Sequence, residues 1–222
     1  MMSRPIAAIA AGLIAITAAP TLVLGIAVPA YAQTAAVTIQ VQSAVTIAVN
    51  AAKASADYAR LSPAQKAQRL AAAVQIAIAS QLNLGASAAD VSAALANLVN
   101  ANFITLSTAA QGAAQAASQV AAQSGAGSGS KSQALQLVTS LGDGTGPLGG
   151  LVANAGGLQV AVSATNASGQ TVSVVTSLSS VLAAAAAGNL GNATFNNGTL
   201  TIGGVTTTTG FTPCTNVIAD YC

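Results

Sequence analysis

Val37–Val49, VTIQVQSAVTIAV, decides the fold, because it fits two periods at once. Its six large apolar residues, at 37, 39, 41, 45, 47 and 49, all fall on odd positions and are all β-branched, as in a strand buried on one face. On a helical wheel Val37, Val41, Val45 and Val49 instead form one i, i+4 row. Ala44, Ala48 and Ala52 extend that row, and Ile39 and Ile47 fall outside it. The local pattern favours the strand and the context favours the helix. Asn50–Arg60 continues Ala-rich with no turn residue between, and a strand over all of 37–49 would exceed the usual length with no sequence neighbour to pair with. The stretch is therefore read as helix.

Downstream the helical signals are cleaner. Ser62-Pro63-Ala64-Gln65 combines a capping serine, a proline at the first helical position and a glutamine that completes a capping box. The helix it opens runs through Leu70, Val74, Ile78 and Leu82 and stops near Gly85. Ser87-Ala-Ala-Asp90 repeats the device, with Asp90 suited to the positive end of the next helix, whose apolar face is Val91, Leu95, Leu98 and Val99. A further helix is expected from Thr108 to Gln123 after a Ser107 cap, weakened by Gly112.

Gly125–Ser130, GAGSGS, has the composition of a flexible linker. A short helix is expected over Ser132–Leu141, followed by a glycine-dense loop, Gly142–Gly150. The period then shifts to two. Leu158–Val162 and Thr171–Val175 flank Asn166–Gly169 as one hairpin, and Thr194–Asn196 and Thr199–Ile202 flank Asn197-Gly198 as a second. Between them Val181–Ala187 reads as a short apolar helix. The fold class expected is α+β: an Ala-rich, mainly α N-terminal helical bundle over 33–124, the linker at 125–130, and a small mixed region over 131–222 with short helices and two β-hairpins.

Residues 1–32 read as a signal peptide. Arg4 precedes an apolar run from Ile6 to Val28, and Pro29-Ala-Tyr-Ala32 before Gln33 is a small-x-small cleavage pattern. The alternative is an uncleaved membrane anchor, since the run is long enough to cross a bilayer. Cleavage between Ala32 and Gln33 would direct the chain to the periplasm, cell surface or medium. There Cys214 and Cys222 could oxidise to a disulfide, and closing that short loop is worth about 2.6 kcal/mol on the chain-entropy model.

Charge is scarce. Asp, Glu, Lys and Arg make up 5 % of the chain, and His, Glu and Trp are absent. An average soluble domain carries about 25 % charged residues. A Ser-His-Asp triad, a Cys-His pair, a histidine metal site and paired glutamates are thereby excluded. Asp57, Asp90, Asp143 and Asp220 lie in separate segments and read as caps, turns or solvated surface. Gly142-Asp-Gly-Thr-Gly146 lacks the lysine of a phosphate loop, and Pro147 follows with no helix signal. One aspartate there is too few for calcium. A Ser-Lys dyad through Lys53 or Lys66 lacks an apolar setting that would depress the lysine.

Lys53, Arg60, Lys66 and Arg69 are grouped, with Asp57 alone offsetting them. They are candidates for contact with an anionic surface, or else the solvated face of an Ala-rich helix. Nucleic acid is not an expected partner, because the chain lacks the necessary basic footprint. Asn166, Asn192 and Asn197 begin glycosylation-type triplets that turn chemistry explains as well. No cofactor and no metal are expected. The residues point to an exported, non-catalytic structural or adhesive protein that associates with itself or a cell-surface partner, touching membrane only through an uncleaved leader. A soluble periplasmic ligand-binding or chaperone-like helical domain is the alternative.

Overall fold

A computed structural model describes residues 30–188, 193–196, 198–202 and 204–208. The opening stretch is helical. It lies inside α1 (Ala30–Lys53), and the valine row decides its orientation: Val41, Val45 and Val49 are fully buried, whereas Ile39 and Ile47 are 61 % and 64 % exposed. Ile39 and Ile47, which fit the period of two but not the valine row, are the ones the helix leaves in solvent. Lys53 in the last turn suits the negative end of the helix dipole. A single 3-10 turn, Tyr58–Arg60, then carries the chain to α2 (Pro63–Asn83).

Serine and threonine caps set most of the following helix starts. Ser62 Oγ accepts from the Gln65 amide at 3.3 Å and Gln65 Oε1 accepts from the Ser62 amide at 2.9 Å, completing the expected box. α2 ends in a Schellman motif, with the Ala86 amide donating to the Gln81 carbonyl and Gly85 at φ +96°. Ser87 caps α3 (Ala88–Asn100) as its sequence implies. α4 (Leu106–Ala122) starts two residues earlier than expected, because Thr105, not Ser107, accepts the Thr108 amide.

α4 is the central element. Of its residues, Thr108–Ala114, Ala116–Ser118 and Val120 are buried, and it packs against α2, α5, α7 and β1. Small side chains let the backbones approach. A Cβ on Gly112 would stand 2.6 Å from Val74 Cγ1 of α2, so this glycine, a weak helix former, is where two helices meet. Buried Gln111 donates through Nε2 to the Ala161 carbonyl and ties α4 to the sheet.

Two expectations for the middle of the chain are corrected. The 125–130 linker is shorter than its composition implies, since Ser128, Gly129 and Ser130 form the first turn of α5 (Ser128–Gly142). Ala134, Leu137, Val138 and Leu141 bury that helix, and one hydrophobic cluster runs from Val41 to Ile202 across both halves. The glycine-dense segment is likewise not all loop: Gly146–Ala155 is helix α6, with Pro147 in its first turn. Its capping partner is remote in sequence. Ser92 Oγ of α3 accepts the buried Leu148 amide at 3.0 Å.

Both hairpins form. β1 (Gln159–Asn166) and β2 (Thr171–Ser177) pair antiparallel, closed by Asn166 Oδ1 accepting the Ser168 and Gln170 amides. α7 (Leu178–Ala186), capped by Ser177, leads on to β3 (Ala193–Asn196) and β4 (Thr199–Ile202). Beyond the expected strands lies β5 (Val205–Thr208), and β3 runs parallel to β1. The sheet order is β2-β1-β3-β4-β5. α7 packs against β2, β4 and β5, and α2 and α4 against β1, so one face of the sheet joins the common core.

Candidate functional site

The four grouped cations sit where α1 passes into α2. Lys53 ends α1 with its Nζ 4.8 Å from the centroid of the Phe103 ring, which arrives from the turn after α3. Lys66, in the first turn of α2, places its Nζ 5.8 Å from the Tyr58 ring. Arg69 lies one turn further along and its Nη1 meets Asp57 Oδ2 at 2.7 Å, the one ion pair among the described residues. Arg60 lies in the intervening 3-10 turn, exposed. Ring faces and the carboxylate thus hold three of the four cations in place. Phe103 was not legible as a member of the group, because it lies far away in sequence.

The Asp57 carboxyl is held below the usual carboxylate range, first by the Ser55 hydroxyl, then by its own backbone amide and by the Arg69 guanidinium. A hydroxyl has one proton, and Ser55 Oγ donates to the Ala52 carbonyl at 2.7 Å, so the hydroxyl's share is contested and Arg69 is the steadier partner. With its folded pKa depressed, Asp57 contributes its small stabilisation above its unfolded pKa, about 3.9, and loses it as pH falls through the lower folded value. Arg69→Gln is expected to move the Asp57 pKa upward, read from the carboxyl carbon shift in an NMR titration. An unmoved midpoint would assign the depression to Ser55 and the backbone.

The other aspartates do not converge with Asp57. Asp90 is buried at the start of α3, where Ser87 Oγ donates to Oδ2 at 2.6 Å and Thr38 Oγ1 of α1 donates to Oδ1 at 3.2 Å. The neighbouring Ala88 amide is capped by Gln133 Oε1 of α5 at 2.7 Å. This polar knot fixes three helices. Asp143 is an exposed C-cap of α5, and Asp220 lies outside the described residues. Among the described residues no three Asp, Glu, His or Cys side chains come together as a metal site. No hydrogen bond joins Lys53 or Lys66 to a serine among those residues.

Asn166 spends its side chain on the β1–β2 turn, and Asn192 and Asn197 lie outside the described residues. So do Cys214, Cys222 and the apolar run 6–28. The expected cleavage point, Ala32–Gln33, falls in the first turn of α1. Over Ala35–Lys53 this helix is long and apolar enough to cross a membrane, although its valine row is in the core. A shallow groove of about 440 Å³ lies between α1 and α3, lined by Ile39, Ser43, Thr46 and Ile47 on one side and Asn97 and Leu98 on the other. No protein-family model, curated protein or solved structure matches this chain.

Proposed function

We propose that this is an exported, non-catalytic structural or adhesive protein of the cell surface or extracellular matrix that assembles with copies of itself. The observation that carries the reading is the edge of the sheet. β2, Thr171–Ser177, contains no charge and no proline, and no strand among the described residues pairs with its outer side. Natural edge strands are usually protected by a lysine, a proline or a bulge, and unpaired backbone groups otherwise recruit another strand. A chain with 5 % charged residues also offers little electrostatic repulsion against association.

The test uses the protein from Gln33 to Cys222. Light scattering behind size exclusion is expected to show concentration-dependent oligomers. Val175→Lys, at an exposed edge position, is expected to shift them to monomer without lowering the melting temperature. A clean monomer at millimolar concentration removes the reading. Export is tested separately, by locating the polypeptide in fractionated cells and medium and sequencing its N-terminus. An N-terminus at Gln33 and a Cys214–Cys222 pair that resists alkylation until reduced are the expected results.

A second reading, a ligand-binding or chaperone-like helical domain, is favoured by the α1–α3 groove and its two exposed isoleucines. Lipid or peptide retained through purification, and lost on Ile39→Ser with Ile47→Ser, would select it over assembly.

A further inference from the structure

We infer that the α1–α2 corner binds a linear acidic polysaccharide. The inference rests on the adhesive reading and names what the protein would adhere to.

The corner collects Lys53, Arg60, Lys66 and Arg69 against one carboxylate, Asp57, and so is strongly positive on a nearly neutral molecule. The remaining charges among the described residues are Lys131, Asp90 and Asp143, and Asp90 is buried. Positive charge is therefore concentrated at this corner, the electrostatic complement of a polyanion. The cations are spread from the end of α1 to the second turn of α2, and three of the four are braced separately, Lys53 on Phe103, Lys66 on Tyr58 and Arg69 on Asp57. That arrangement suits a row of anions along a chain better than a single small ion. Bracing also reduces the side-chain entropy lost when the polymer docks.

Two other polyanionic partners fit less well. A bilayer would need an apolar wedge, and the large exposed apolar side chains, Ile39, Ile47, Ile76 and Leu84 among them, all lie outside residues 53–69. Single-stranded nucleic acid would need free aromatic faces for stacking, whereas the Tyr58 and Phe103 rings already carry ammonium groups. Ser62 and Gln65, near Lys66 in the sequence, use their oxygens as acceptors in the capping box and keep a hydroxyl proton and an amide NH2 able to donate to sugar hydroxyls.

The experiment measures binding of the 33–222 protein to immobilised alginate, with neutral dextran as reference. It is run on the Val175→Lys variant as well, so that loss of self-association and loss of polymer binding are read independently. Alginate is expected to bind and dextran not, with binding falling steeply between low and physiological salt. Lys53→Gln with Arg60→Gln and Lys66→Gln is expected to weaken it about tenfold, whereas Lys131→Gln leaves it unchanged. Circular dichroism establishes that each variant is folded, and Arg60→Gln alone, at an exposed turn, is expected to give a two- to threefold loss if the triple variant is not. No alginate binding, or an equal loss in Lys131→Gln, overturns the inference. So does tighter binding to oligothymidylate or to phosphatidylglycerol-containing vesicles than to alginate.

Discussion

Val45→Asp is expected to unfold the protein at room temperature or to remove about 4 kcal/mol of its stability, whereas Ile47→Asp, two residues on, should stay within about 0.5 kcal/mol of the parent. The contrast follows from the helix. Val45 is fully buried between α1 and its neighbours α2 and α3, so a carboxylate there loses its water and gains no partner. Ile47 is 64 % exposed, about 200° further round the wheel, and an aspartate there remains solvated. In a strand the two side chains would share a face and the two variants would fail together. Urea unfolding followed by far-ultraviolet circular dichroism separates the outcomes, and similar losses in both variants would return Val37–Val49 to the strand reading.

Two adjacent glycines of α6 are expected to respond to alanine with opposite signs. A Cβ on Gly149 would stand 2.2 Å from the Ser140 carbonyl oxygen of α5 and 3.1 Å from the Gly144 carbonyl carbon. Both obstacles are backbone, which no rotamer change can clear. The Ser140 carbonyl also accepts the Thr145 amide in the turn that joins the helices, so pushing α6 away strains that turn as well. Gly149→Ala is expected to destabilise by about 3 kcal/mol, the upper part of the usual range for overpacking. A Cβ on Gly150 meets nothing within 4 Å, and Gly150→Ala should stabilise by about 0.5–1 kcal/mol through helix propensity alone. The difference between the two urea midpoints is the measurement. If both variants stabilise, the close approach of α5 and α6 is wrong.

Several parts of the architecture were open to reading because their signals are local. The capping box at Ser62–Gln65 and the Ser87 cap depend on groups three residues apart, and both form with the expected partners. The two hairpins are closed by their own turn residues, Asn166–Gly169 and the segment containing Gly198, and the structure places β1–β2 and β3–β4 around them. The four cations were legible as a group for the same reason, since they span residues 53–69 and a single turn joins their helices. Their bracing was not. Phe103 reaches Lys53 only because the end of α3 folds back beside the end of α1.

The α+β class, the starts of α2 and α3, the hairpin turns and the lack of a histidine- or glutamate-based site follow from the order of the residues alone. Each of those rests on composition or on residues within a few positions of one another. Tertiary structure decided the rest. It selected the valine row over the isoleucines in α1, because a helix buries the face that meets its neighbours, and here those neighbours are α2 and α3. It made Gly146–Gly150, part of the loop expected over Gly142–Gly150, the start of a helix, where the buried amide of Leu148 finds its acceptor on Ser92, in a different helix. It made Gly112 and Gly149 points of contact, since only packed neighbours can exploit the room left by a missing side chain.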